Sequence, residues 1–131
     1  MALNLTSAII EIVAKDLHRS LDFYRLLGLE VPQPEGPHVE VTLPGGNRLA
    51  FDTEEVIAGM HPGWVPPTGR GRVALAFGLD SPAEVDELYE RLTAAGHPRT
   101  LKPYDAPWGH RYATVEDPDG TSVDLFAALD S

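Results

Sequence analysis

Chemistry in this chain has to come from carboxylates, imidazoles, hydroxyls and rings, because there is no cysteine. Thiolate metal sites, disulfides and cysteine nucleophiles are excluded with it. There are five histidines. His18 falls on the exposed side of a predicted helix, His61 in a Pro/Gly-rich segment and His97 past a helix end, while His38 and His110 open strands. No two of them share an i, i+4 or tight strand spacing, so the histidines alone build no metal site. Asp117-Pro118-Asp119-Gly120 has the look of a calcium loop but reads as a turn, with Pro118 presetting one dihedral and Gly120 supplying positive φ. Gly69-Arg70-Gly71 lacks the longer glycine pattern of a phosphate loop, and no Gly-x-Ser-x-Gly elbow is present. The ring that stands out is Trp108. Pro107 and Gly109 hold it in a predicted loop, where its face can stack on a planar or cationic ligand; sealing a subunit interface is the competing role. Tyr104 shares that loop, and Trp64 sits in the Pro/Gly-rich segment, free to close over a cleft or to pack that segment down.

The charge balance narrows the partners. The formal net charge is −10, which argues against duplex nucleic acid, whose phosphates need Lys and Arg. It favours a cationic ligand through the summed field, or simply keeps the protein soluble. No apolar run approaches the ~18 residues of a membrane span. The start, Met1 to Thr6, has neither a basic region nor an apolar signal core, so a cytoplasmic location without a membrane partner is expected. At 131 residues and 43% hydrophobic, the chain is sized for one compact domain with a real core.

The elements that must position these side chains come in two copies. Val41 to Phe51 lies over Val115 to Leu125 without a gap, each copy being a strand, a Pro-Gly-Gly or Pro-Asp-Gly turn and a second strand. Upstream of each copy lie a strand and an amphipathic helix. Ser7 to Ala14 reads as the first strand, Asp16 as a helix N-cap, and Leu17, Leu21, Tyr24 and Leu27 as one apolar stripe ended by Gly28. Leu29 to Pro32 reads as a short edge strand. His38 to Leu43 and Arg48 to Asp52 alternate with period two, putting His38, Glu40, Arg48, Ala50 and Asp52 on the face away from the apolar residues. Thr53 to Gly71 reads as a linker or lid of functional length. In the second copy, Arg72 to Phe77 is a strand, Ser81 to Glu84 a capping box with Pro82 at the first helical position, and Val85, Leu88, Leu92 and Ala95 the helical stripe. Pro98 to Leu101 reads as an edge strand, Tyr104 to Gly109 as a loop, and Arg111 to Glu116 and Thr121 to Ala127 as the last strands. The expected fold is therefore α+β. Two βαβββ modules form a curved mixed sheet around a cleft in a single domain 1–131, with module one at 1–54, a linker at 55–70 and module two at 71–131.

This order resembles the vicinal oxygen chelate superfamily of glyoxalase I, bleomycin-resistance proteins and extradiol dioxygenases. The residues that carry the resemblance are Asp16-Leu17, Leu21, Phe23-Tyr24 and Gly28-Leu29, then Trp108-Gly109, Arg111 and Asp117 to Gly120, in that order and spacing across nearly the whole chain. The resemblance implies that four metal ligands come from the first and last strands of each half. The matching positions here are Ile9, Ala50, Arg72 and Asp124. Ile and Ala offer no donor atom, Arg has no lone pair to give, and one carboxylate does not hold a catalytic metal. No metal and no cofactor is expected.

The cleft would then be lined by Glu11, Arg48, Asp52, Arg72, Ala74, Asp124 and Phe126, plus His38 or Glu40 of the neighbouring strand, with His38 at its mouth or at an exposed strand start. An Arg72–Asp124 ion pair would occupy the former metal position, either as a ligand anchor or as a buried pair that fills space. The resemblance to the bleomycin-resistance branch implies aromatics that stack on a bound drug. The expected function is metal-independent sequestration of a planar, aromatic small molecule such as an antibiotic or related metabolite; the acidic balance fits a cationic one but does not demand it. Trp108 would stack, Trp64 and Tyr104 flank, and Arg72 and Asp124 orient polar groups. The alternative is a metal-independent lyase, isomerase or epimerase with Asp124, Glu11 or His38 as base. The resemblance also implies a homodimer with two equivalent sites.

Overall fold

The computed structural model describes residues 3–68, 71 and 73–129. The chain divides into two compact units between Pro67 and Thr68.

In the first unit the order is β1 (Ile9–Ala14), α1 (Leu17–Leu27), β2 (His38–Thr42), β3 (Arg48–Thr53) and α2 (Glu54–Met60). The three strands form a mixed sheet in the order β1-β3-β2, with β1 parallel and β2 antiparallel to β3. α1 starts where the Asp16 carboxylate accepts the Arg19 N–H at 3.2 Å, a cap worth about 1 kcal/mol. It ends at Gly28, whose φ of 122° allows its own N–H to reach the Arg25 carbonyl and the Leu29 N–H to reach that of Tyr24. Between these ends Leu21, Phe23, Tyr24 and Leu27 are buried, together with Val39, Val41, Leu49 and Phe51 of the sheet. The Tyr24 and Phe51 rings meet at 5.1 Å.

Two expectations fail in this unit. Leu29 to Pro32 forms no strand. The Arg25 guanidinium takes the Val31 and Pro32 carbonyls at 3.4 and 3.1 Å, and Pro32 has no N–H to offer a ladder, so the sheet stops at three strands instead of four. The segment from Thr53 is not a linker throughout, because its first part is α2. The Thr53 hydroxyl accepts the Val56 N–H at 3.2 Å, and Glu54 and Glu55 fill the first turn, where the helix dipole favours acid. The Pro and Gly residues that suggested a linker lie mostly beyond it.

The second unit runs β4 (Ala74–Gly78), α3 (Pro82–Ala94), β5 (Arg99–Ala106), β6 (His110–Glu116) and β7 (Ser122–Ala128). Its mixed sheet has the order β4-β7-β6-β5, with β4 parallel to β7 and the rest antiparallel. The capping box forms at Ser81, which accepts the Glu84 N–H at 3.3 Å and donates to the Glu84 carboxylate at 3.0 Å. α3 buries Val85, Leu88, Tyr89 and Leu92, and the sheet buries Leu75, Ala113, Val115, Val123 and Leu125. Arg111 staples helix to sheet, donating to both Asp86 oxygens at 2.9 and 3.2 Å and to Asp105 at 3.1 Å. The β6–β7 turn is clamped by Asp117, 2% exposed, whose Oδ1 accepts the Asp119 and Thr121 N–H groups at 2.9 Å each.

The edge strand is longer than the sequence suggested. β5 continues through Tyr104 to Ala106, absorbing half of the expected loop. Its pairing with β6 breaks at two register shifts, between Arg99 and Leu101 and between Leu101 and Tyr104. Pro103 is tolerated in such an irregular edge. Among the described residues no helix is long and apolar enough to cross a membrane.

Candidate functional site

Each sheet has one face carrying the helix and buried core and one face carrying the polar alternation. In the second unit the open face bears Tyr112, Thr114 and Glu116 from β6 and Ser122, Asp124 and Phe126 from β7. The antiparallel register sets Tyr112 opposite Phe126, Thr114 opposite Asp124 and Glu116 opposite Ser122. Asp124 is the chemical centre of this face. One carboxylate oxygen accepts the Tyr112 phenol at 2.5 Å and the other the Thr114 hydroxyl at 2.9 Å. Both donors are neutral, so among the described residues the carboxylate is oriented without a cation against it. The Tyr112 phenol is pushed up to about 12, first by burial and then by the hydrogen bond and charge of Asp124. It remains a donor throughout the neutral range.

A wall of rings stands beside this carboxylate. Trp108 occupies the tip of the β5–β6 hairpin, where Gly109 turns with φ of 95° and its N–H meets the Ala106 carbonyl at 3.0 Å. Its ring meets Tyr112 edge-on at 5.4 Å and Tyr104 edge-on at 6.4 Å. With both of these contacts made, Trp108 is still 57% exposed. Covering that surface is worth roughly 3 kcal/mol at ~25 cal/mol per Å². Phe126 lies against His110 at 5.2 Å, and its ring passes so close to Gly78 that a Cβ there would stand 3.0 Å from it. Gly78 makes room for that ring.

The open face of the first unit is built of charges. His38 Nδ1 meets Asp52 at 2.7 Å and its Nε2 meets Glu40 at 3.0 Å, while Arg48 donates to the other Glu40 oxygen at 2.9 Å. Asp52 is 7% exposed. Hydrogen bonds to Glu40 and Asp52 hold the His38 imidazole above its usual range, and His38, with Arg48 behind it, holds Glu40 below the usual carboxylate range. Ala50 stands between Glu40 on β2 and Glu11 on β1, and Glu11 is exposed. Trp64 is half-buried beyond α2, its N–H donating to the His61 carbonyl at 3.0 Å.

The expected site residues thus fall into two groups. Trp108, Tyr104 and Asp124 share the second unit, and His38, Asp52, Glu11 and Trp64 belong to the first. Arg72 lies outside the described residues; among those described, the side-chain partners of Asp124 are the Tyr112 and Thr114 hydroxyls. Tyr112 and Thr114 went unnoticed in the sequence, although folding the β6–β7 hairpin about its Pro-Asp-Gly turn sets both beside Asp124.

The residues do not fit a catalytic divalent metal. Ile9 and Ala50 supply no donor, and both Asp124 oxygens already accept hydrogen bonds. His38 has each ring nitrogen engaged by a carboxylate, which favours the protonated imidazolium over a ligand. Among the described residues no group of three or more His, Cys, Asp or Glu is arranged to hold a metal ion.

Comparison with known proteins agrees with this architecture. The model of the Glyoxalase/Bleomycin resistance protein/Dioxygenase superfamily matches residues 6–125. A glyoxalase/bleomycin resistance protein/dioxygenase from Nocardioides is 30% identical, with 100% of this chain and 88% of that chain covered and a TM-score of 0.76. A glyoxalase-related enzyme from Fulvimarina pelagi is 25% identical, with 95% and 88% covered and a TM-score of 0.80. A family member from Burkholderia phytofirmans, 20% identical over 92% and 97% of the two chains, shares the fold at a TM-score of 0.81. No curated protein matches.

Proposed function

We propose, from the premise that this chain belongs to the Glyoxalase/Bleomycin resistance protein/Dioxygenase superfamily, that it binds a planar, cationic small molecule without a metal and without transforming it. The observation that carries the reading is the pairing of a Trp108 ring that is 57% exposed with a carboxylate held by two neutral hydroxyls. A flat ring covers Trp108, and its positive charge is drawn both to the aromatic wall and to Asp124. The family's metal positions offer no competing chemistry, because two of them are aliphatic. Held in excess over its ligand, such a protein lowers the free concentration by mass action, which is resistance by sequestration if the ligand is an antibiotic. We further propose that it acts as a cytoplasmic homodimer with two equivalent sites, a state that sedimentation equilibrium measures directly.

The test is a tryptophan-fluorescence titration with planar cationic antibiotics, repeated on Trp108→Ala, with mass spectrometry of the recovered compound. Saturable quenching that is lost in the variant, with the compound unchanged, is the expected result. A compound recovered in altered form would overturn the reading and favour the second one, a metal-independent lyase, isomerase or epimerase. That alternative rests on His38, whose imidazole is oriented by nearly buried Asp52 as an acid–base group would be.

A further inference from the structure

On the opposite side of the second sheet, α3 and the β5 edge enclose a depression of about 580 Å³. It is lined by Asp86, Tyr89 and Glu90 of the helix and by Arg99, Lys102 and Arg111 of the strands, none of which takes part in the site around Asp124. Its charges are not equally engaged. Arg111 and Asp86 neutralise one another through two hydrogen bonds. Arg99 lies over the Tyr89 ring, its guanidinium carbon 5.8 Å from the ring centre. Among the described residues no carboxylate is recorded against Arg99 or Lys102, and no cation against the Glu90 carboxylate.

These facts fix the chemistry of a ligand. In a chain of net charge −10, two cations without carboxylate partners on one concave surface run against the general field. The Tyr89 ring takes the place of a salt bridge for the Arg99 guanidinium. A guanidinium carries the N–H fork that a carboxylate accepts. Lys102 adds a point charge. Glu90 repels a bare anion but accepts a hydrogen bond from a neighbouring hydroxyl or ammonium group. We infer that this depression is a second binding site, which takes a small aliphatic hydroxy or amino acid by its carboxylate. The carboxylate lies on Arg99 and Lys102, and Glu90 receives the ligand's own donor. The inference stands apart from the proposed function and involves the other face of the sheet.

L-malate is a suitable probe, titrated into the full-length protein and followed by amide and arginine side-chain NMR shifts at constant ionic strength. Saturating shifts at Tyr89, Glu90, Arg99 and Lys102 are expected. They should weaken by roughly tenfold in Lys102→Gln and in Arg99→Gln, and persist in Trp108→Ala. Lys102→Gln is a surface change that leaves the Tyr89 contact intact, so its loss of binding cannot be ascribed to unfolding. Propionate, which lacks the hydroxyl, should bind more weakly than lactate, and Glu90→Gln should narrow that gap. Shifts that grow linearly without saturating, or that sodium chloride reproduces, would overturn the inference. So would binding that is indifferent to both cation substitutions.

Discussion

The two open faces share one topology and opposite chemistry. The registers align them row by row. Glu11, Ala50 and Glu40 in the first unit correspond to Ala76, Asp124 and Thr114 in the second, and Val13, Asp52 and His38 to Gly78, Phe126 and Tyr112. In the first unit acids flank an alanine, and the adjoining row is an imidazole between carboxylates. In the second the acid stands in the middle, its flanks are a methyl and a hydroxyl, and the adjoining row is aromatic. On the first face His38, Asp52, Glu40 and Arg48 satisfy one another's charges. On the second, among the described residues, Asp124 meets only hydroxyls and Trp108 is more than half exposed, so it is the face that gains by meeting a ligand.

The largest expected effect comes from removing that difference. Trp108→Ala should weaken binding of a planar cation by at least about tenfold, the range of an interface anchor, with little change in thermal stability because the ring is mostly exposed. Unchanged affinity in a fluorescence-independent assay such as calorimetry would move the site elsewhere. Next, Asp124→Asn should cost a cationic ligand about tenfold and an uncharged analogue of the same shape far less. Equal losses for both compounds would make Asp124 a structural group only. The same variant sharpens the comparison spectroscopically. In alkaline titration of tyrosinate absorbance, Tyr112 should ionise at about 12 in the parent protein and lower in Asp124→Asn, with burial keeping it above the ordinary tyrosine value.

The smallest effect belongs to the self-satisfied face. His38 is raised above its usual 6.5, so its contribution to stability is complete below that pH and fades as the pH rises through the folded value. Glu40 is lowered from 4.5, so its contribution is complete above that pH and fades as the pH falls through the folded value. The window in which both act runs from 4.5 to 6.5. These groups are largely solvated, so His38→Gln should lower the melting temperature by at most about 2 °C inside the window and by less at pH 9. A larger loss at pH 9 than at pH 5.5 would contradict the assignment.

Much of this was legible in the residues. Asp16, Gly28 and Ser81 mark helix boundaries through local chemistry, and each does in the structure what its side chain or φ permits. The period-two alternation puts His38 and Asp52 on one face and the internal repeat does the same for Asp124, while Pro107 and Gly109 mark Trp108 as a turn residue. What escaped depended on partners distant in sequence. The missing strand at Leu29 to Pro32 follows from Arg25 binding carbonyls six and seven residues ahead. α2 was masked by the prolines and glycines that follow it, although Thr53-Glu54-Glu55 announces a helix start. The link of Tyr112 to Asp124 needed the hairpin register, which the turn at Asp117 sets, rather than any property of Tyr112 itself.

The clamped β6–β7 hairpin also bears on how such a protein can diverge. On these two strands the even-numbered side chains, Tyr112 through Phe126, lie on the face away from α3, and the odd-numbered ones, Ala113 through Leu125, anchor α3. Inheritance can therefore rewrite the even numbers, trading rings for acids or hydroxyls, while the odd numbers go on folding the same domain. The buried Asp117 keeps the two sets from exchanging places, since a slip by a single residue would turn the recognition surface inward and the core outward. New specificities on this scaffold then need only point mutations on one parity, with the turn carboxylate as the fixed reference from which the parity is counted.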